Sequence, residues 1–420
     1  MKYINLLIFT TFLLFSENIT EIKIKGNNIT QDYIIFREIM HPIHSEFSDS
    51  LRIEDENRLY NLGIFSFVEI NQINNIYQIH VNEIFRYYLL PLVDIDESNK
   101  NGGTSYGLAF SILNLNGKNR KFEAGTMFGN KHLYFFNFSD PWIFGNHISS
   151  EINFFQKYEQ LFWYDNSIEN DFKNIIKGFQ FGVGFHIGLK NNFNFNLGFF
   201  NNKIDFSNYI ETEIIQEYQN IGIKLTYSLD SRDIIIDPTK GTLLKFNFNQ
   251  NIGINSSKSF SNLFLEINKH FKISDFKDFT INLKSKLLLQ NPNHIPIFNY
   301  HSLGGEDFVR GYNRYPNSNP AEIQSKIRAN QLFSHSLEFQ FTLVEKKSFD
   351  GFEFGLDNIW FIDIGIGTIY LDEFLEAKAL KSYGVGFRFF LSGIGTIGFD
   401  IGFNPYSSTP QLHISDSKDD

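Results

Sequence analysis

GFQFGVGFHIGLK, residues 178–190, decides the fold class. Phe179, Phe181, Val183, Phe185, Ile187 and Leu189 fall on every second position, and Gly182, His186 and Lys190 lie between them. A strand turns successive side chains to opposite faces, so one face here is continuously apolar and the other polar. The same beat recurs at Phe193, Phe195, Leu197 and Phe199, at Leu244, Phe246 and Phe248, and at Phe279, Ile281 and Leu283. It returns at Leu337, Phe339, Phe341 and Leu343, and at Tyr383, Val385, Phe387 and Phe389. A soluble sandwich core would need small partners interleaved with so many rings, whereas lipid accepts Phe without steric limit. The other face, rich in Asn, Gly, Lys, Gln and Ser, suits a hydrated lumen. At roughly 20 residues for each strand with its connection, residues 85–420 give about sixteen strands, a plausible even-numbered barrel. Asn and Gly cluster at 101–103, 115–118, 129–130, 191–192, 201–202 and 249–255, which reads as a set of turns.

Composition agrees and narrows the function classes. The chain of 420 residues holds 49 Phe, yet its mean hydropathy is -0.21, because apolar residues alternate with polar ones. Helical membrane spans would need runs of about 20 apolar residues. A net charge of -10 gives no global attraction to nucleic acid, and no nucleic-acid role is indicated. The absence of Cys removes disulfides, thiolate metal sites and a thiol nucleophile. Residues 1–16, MKYINLLIFTTFLLFS, join one early Lys to an apolar core and a small residue, the profile of a signal peptide.

Residues 19–84 follow a different pattern. ITEIKIKGN reads as a strand ended by Gly26 and Asn27. A helix capped by Thr30 and carrying Ile34, Ile35 and Ile39 comes next, then a second helix from about Ser50 to Leu62 stopped by Gly63. IFSFVEINQ and IYQIHVNEI supply two more strands. The order β-α-α-β-β, with the phrase RLYNLGIFSFVEI, resembles a POTRA domain, the periplasmic module of outer-membrane assembly and secretion proteins. A POTRA domain offers an exposed sheet edge that pairs with an extended client through its backbone.

The longest interruption of the alternating pattern lies between Leu289 and Gln331, and long loops inside a barrel are commonly functional. It contains SLGGEDFVRGYNRY, residues 302–315. Val309, Arg310, Gly311 and Tyr312 resemble the V-R-G-F/Y tip of the BamA superfamily, whose sixth extracellular loop folds back into the barrel lumen. FNFSDPWIFG (136–145) and LDSRDIIIDPTKGTLLKF (229–246) resemble two further phrases of that superfamily, in the same order along the chain. Glu338 and Asp363 match its inward-facing acids on two later strands. Both stand out of phase with apolar neighbours, Leu337 and Phe339 for one and Ile362 and Ile364 for the other, so both should face the lumen. A guanidinium binds carboxylates bidentately, so Arg310 paired with these acids would peg the loop inside the barrel. Gly304, Gly305 and Gly311 would supply the turns around it. Asp400, between Phe399 and Ile401, reads as one more lumen-facing charge.

Other chemistry is thin. His41, His44, His294 and His301 sit in no metal-ligand frame, and Ser231 lacks the glycine context of a hydrolase nucleophile. Neither cofactor nor metal nor enzymatic activity is expected. The chain ends PQLHISDSKDD, which suggests a short closing strand from about Pro410 to Ser415 and an acidic tail in place of a terminal aromatic residue. The resemblance implies an outer-membrane factor that folds and inserts β-barrel clients, with unfolded outer-membrane proteins, the lipid bilayer and accessory periplasmic proteins as partners. A two-partner secretion pore and a porin-like barrel stay open as alternatives.

Overall fold

The computed structural model describes residues 18–95, 103–143, 148–165, 168–205, 215–255, 257–291, 295–315, 319–349 and 351–417. The expected signal peptide lies outside the described residues.

The N-terminal domain is a three-stranded sheet under two helices: β1 (Glu21–Lys25), α1 (Asp32–Phe36), α2 (Asp49–Asn61), β2 (Phe65–Ile73) and β3 (Ile76–Glu83). Its strand order is β1-β3-β2, with β1 parallel and β2 antiparallel to the central strand. Ile34, Ile35, Leu59, Ile70, Tyr77, Ile79 and Val81 form its core. Asp55 sits in this core because the hydroxyl of Tyr77 and the backbone N–H groups of Met40 and His41 all donate to it. Helix α2 is capped by Ser48, which accepts from the Leu51 N–H, and Gly63 ends it with φ +67°. Thr30 does not cap α1: the flanking residue is Gln31, without a side-chain bond. Glu83 competes successfully for Thr30, accepting from its N–H at 2.6 Å and its hydroxyl at 2.5 Å.

The rest forms one antiparallel sheet of sixteen strands. Its first half contains β4 (Tyr87–Ile95), β5 (Thr104–Leu115), β6 (Arg120–Gly129), β7 (His132–Asp140), β8 (Ile148–Asp165), β9 (Ile168–Ile187), β10 (Asn191–Asp205) and β11 (Ile215–Asp230). Then come β12 (Gly241–Ile254), β13 (Phe260–Lys272) and β14 (Thr280–Gln290). A long loop holds β15 (His301–Ser302), α3 (Gln324–Ile327) and β16 (Arg328–Ala329). The sheet resumes with β17 (Gln331–Phe349), β18 (Phe352–Thr368), β19 (Leu380–Leu391), β20 (Gly395–Asn404) and β21 (Ser407–Ser417). Every neighbour in the sheet is the next of its strands in the chain, and β4 and β21 stand at the two ends.

The faces separate as the alternation requires. Phe181, Phe185, Ile187, Trp360 and Ile362 are exposed on one face, and Asn196, Asn220, Asn247, Glu338 and Asp363 are buried on the other. Three of the expected turns are not turns. Asn191–192 and 201–202 lie within β10, and 249–254 within β12. A polar-faced strand repeats the Asn and Gly that mark turns elsewhere, which explains the misreading. Likewise β21 is an eleven-residue strand, longer than the expected span, and includes Ser407–Thr409 and Asp416–Ser417.

The sheet is strongly curved. The connection 231–240 leaves β11, and its Asp237 accepts from Gln340 of β17 at 2.9 Å and pairs with Lys346 at 2.9 Å. The carbonyl of Ile236 in the same connection accepts from Thr396 of β20. At the other margin, Tyr88 of β4 packs with Ile394 in the β19–β20 turn. The N-terminal domain sits against the turns at this end. Gln31 bonds to Gly117 and Asn116, Arg37 lies 4.3 Å over the Trp142 ring, and Asn61 grips the 231–240 connection. Strand alternation puts the long loop between β14 and β17 at the opposite end.

Candidate functional site

The long loop carries its own core. β15 and β16 pair, Leu303 N–H donates to Ile327 at 2.6 Å, and Leu303, Val309, Tyr312, Ile323, Ile327 and Ala329 pack against Leu332 and Leu380 of the sheet. Burial of these apolar groups holds the loop inward and keeps water from its tip. His301 is pushed below its ordinary imidazole range by burial, against the opposing pull of Asp307. Gly305 and Gly311 take φ +103° and +90°, as a turn tip demands. Gly304 serves differently: a side chain there would meet the Asn313 carbonyl.

Two sheet glycines make room for the tip. A Cβ at Gly365 of β18 would stand 2.4 Å from Val309, and one at Gly402 of β20 would stand 2.4 Å from the Gly311 nitrogen. Against this flat surface Arg310 is almost wholly buried. It donates from Nε at 2.9 Å and Nη2 at 2.8 Å to the two oxygens of Asp363, and its backbone N–H donates to Asp363 at 3.0 Å. Nη2 also donates to Ser336, whose hydroxyl donates onward to Asp363 at 2.6 Å. Nη1 lies 2.9 Å from Glu338 and 3.4 Å from Asp400. The Phe361 ring lies 3.7 Å beneath the guanidinium, a face-on cation contact.

Both predicted acids therefore meet Arg310, and the site is larger than the sequence reading. Asp400 is a third buried acid in the cluster, clasped bidentately by Arg388 of β19 at 2.7 and 2.9 Å. Lys284 of β14 reaches Glu338 at 2.8 Å. Three carboxylates thus face three cations, which is how so many charges can be buried together. Arg388, Lys284 and Ser336 carry the same signal that revealed Glu338, a polar residue at an inward position of an apolar run. Nothing local distinguished them from ordinary lumen-lining groups.

The backbone of the tip is gripped as well. Gly311 N–H donates to Nε2 of His413 at 3.0 Å, Asn404 donates to the Gly311 carbonyl at 2.5 Å, and the Tyr312 hydroxyl donates to the Lys381 carbonyl at 2.8 Å. Residues 310–312 consequently touch all five of the last strands, β17 to β21. The other two quoted phrases have structural work. Asp140 accepts from Arg120 at 2.6 Å and from the Trp142 N–H. In 229–246, Arg232 forks onto Asp230, and Asp233 accepts from the Thr239 hydroxyl and N–H and the Lys240 N–H. Burial opposes the Asp233 charge, but these donors, led by Thr239, hold its carboxyl below the usual value. Among the described residues no group of His, Asp or Glu is arranged to hold a metal.

Residues 114–414 match the Omp85 superfamily domain. The chain belongs to the Omp85 superfamily. Over 194 residues it is 28% identical to the outer membrane protein assembly factor BamA of Buchnera aphidicola, a match covering 44% of this chain and 31% of that one. The chain thus matches about a third of the length of that relative. Two solved structures share the fold across 95% of this Omp85 chain. They are BamA from Haemophilus ducreyi lacking POTRA domains 1-3 (TM-score 0.57, 15% identity, 83% of that chain) and CdiB from Escherichia coli (TM-score 0.59, 12% identity, 75% of that chain). As an Omp85 protein it resides in the outer membrane, with the POTRA-like N-terminal domain in the periplasm and the long loop at the extracellular end. Its buried charges hold the loop tip on the sheet.

Proposed function

We propose that this protein folds and inserts β-barrel clients into the outer membrane. The observation that carries the reading is a shared geography. Among the described residues, the N-terminal domain has free sheet edges at β1 and β2 and is docked at the periplasmic end of a curved sheet whose terminal strands, β4 and β21, each have one ladder partner. The sheet closes into a barrel, with β4 and β21 meeting at a seam. The approach of Tyr88 to the β19–β20 turn supports closure, because it returns the first strand to the last ones. Closure also satisfies edge groups that lipid cannot. An unfolded client adds as a strand to the N-terminal sheet and then templates on the seam, its own folding supplying the free energy. Arg310 with Glu338 and Asp363 fixes the barrel state in which this occurs.

Reconstitution into lipid vesicles tests this directly. An unfolded barrel client should become protease-protected faster with the protein than with empty vesicles, and more slowly with Arg310→Ala. Steady conductance without client folding would transfer the reading to a secretion pore, a use favoured by the amide-lined face at Asn196, Asn220 and Asn247.

A further inference from the structure

The last strand of the sheet is held by one neighbour and by the loop. Among the described residues β21 pairs only with β20, through a register shift between Gly402 and Asn404, so it is the least supported strand at this end of the sheet. The tip supplies a second attachment through a single residue. Gly311 offers its N–H to His413 of β21 and its carbonyl to Asn404 of β20, so the backbone on both sides of one residue is gripped by the last two strands. His413 is 1% exposed, so this bond has no water to replace it. Gly402 brings the backbones close enough for the grip, since any side chain there would occupy the Gly311 position.

We propose that His413 is the positioning residue that ties the loop tip to the terminal strand, so that release of Arg310 from its acids loosens β21 and loosening of β21 frees the tip. The side-chain cluster anchors the tip on β17, β18 and β20, strands with ladders on both sides. His413 is the contact that carries this anchorage outward to the margin. The coupling deepens the reading of the loop as the element that sets the barrel state, but it holds whether the barrel inserts clients or conducts them.

Hydrogen exchange on the full chain in detergent micelles, without client, tests it separately from activity. His413→Ala should raise exchange about tenfold in peptides covering 407–417 and 309–313 and leave β8–β10 unchanged. His413→Gln, whose amide oxygen can accept from the Gly311 N–H, should restore most of the protection, which a simple loss of packing would not. Arg310→Ala should also raise exchange in 407–417, and the double variant should add little beyond either single change. Additive effects, unchanged exchange in 407–417 with either variant, or a rise spread evenly over the sheet would overturn the proposal. Loss of client insertion with normal exchange coupling would instead count against the insertase reading alone.

Discussion

Two connections fold inward from opposite ends of the sheet, and they are held by different physics. The extracellular loop is fastened by a buried cluster in which Arg310, Glu338, Asp363 and Asp400 are each nearly inaccessible. The periplasmic connection 231–240 is fastened by half-buried hydrogen bonds and by two ion pairs, Arg232 with Asp230 and Asp237 with Lys346, and some of these bonds are shared with the N-terminal domain. Asn61 donates to the Asp233 carbonyl and accepts from the Ile235 N–H, both at 2.9 Å, and Tyr60 donates to Glu353 beside it. Removing one member of a dry charge cluster strands its partners, whereas water takes over a lost half-exposed bond. The first connection is therefore suited to two discrete states, and the second to a graded adjustment between domain and sheet.

The sharpest way to break this contrast is Asp363→Ala. It leaves the Arg310 fork without its bidentate acceptor, and unfolding in micelles should show a loss of about 3–5 kcal/mol. A loss below about 1 kcal/mol would mean that the cluster is wet and no different from the periplasmic connection. Gly402→Val should come next. The added side chain overlaps Gly311, so limited proteolysis should cut within 303–315 several times faster while the sheet stays intact. Asn61→Ala removes two bonds between domain and connection and should weaken docking by about 1–2 kcal/mol, read as increased mobility of a spin label on the N-terminal domain. Thermal stability of the sheet should not move.

Acid should have the smallest effect. Asp233 is held below its ordinary value of 3.8, so its contribution is complete above that pH and is lost as pH falls through the lower folded value. Protease access to 231–240 should stay constant from pH 7 to about 5 and rise only below about 4. A rise near pH 6 would assign the connection to a different titrating group.

Much of this was legible without coordinates. Period-two alternation displays both faces of a strand in the sequence, so the strand number and the inward direction of Glu338 and Asp363 could be read directly. The V-R-G-Y phrase located the loop tip through its resemblance to the superfamily motif, with Gly304, Gly305 and Gly311 at hand to supply the turns. Strand ends were less legible: Asn201 and Asn202 resemble a turn yet extend β10, since a polar inward face uses the same residues as a turn.

The sequence by itself determined which side of each strand meets lipid and which residues could bear charge inside, because those properties depend on neighbours along the chain. Tertiary structure alone decided the partners. Arg388 was one of several inward cations until strand order placed it on Asp400, twelve residues away and one strand over. His413 and Gly311 are separated by 102 residues, and their bond exists because curvature of the sheet and the return of the loop bring the final strand to the tip. Long-range contact is a property of register and curvature, and no local pattern of residues encodes either one.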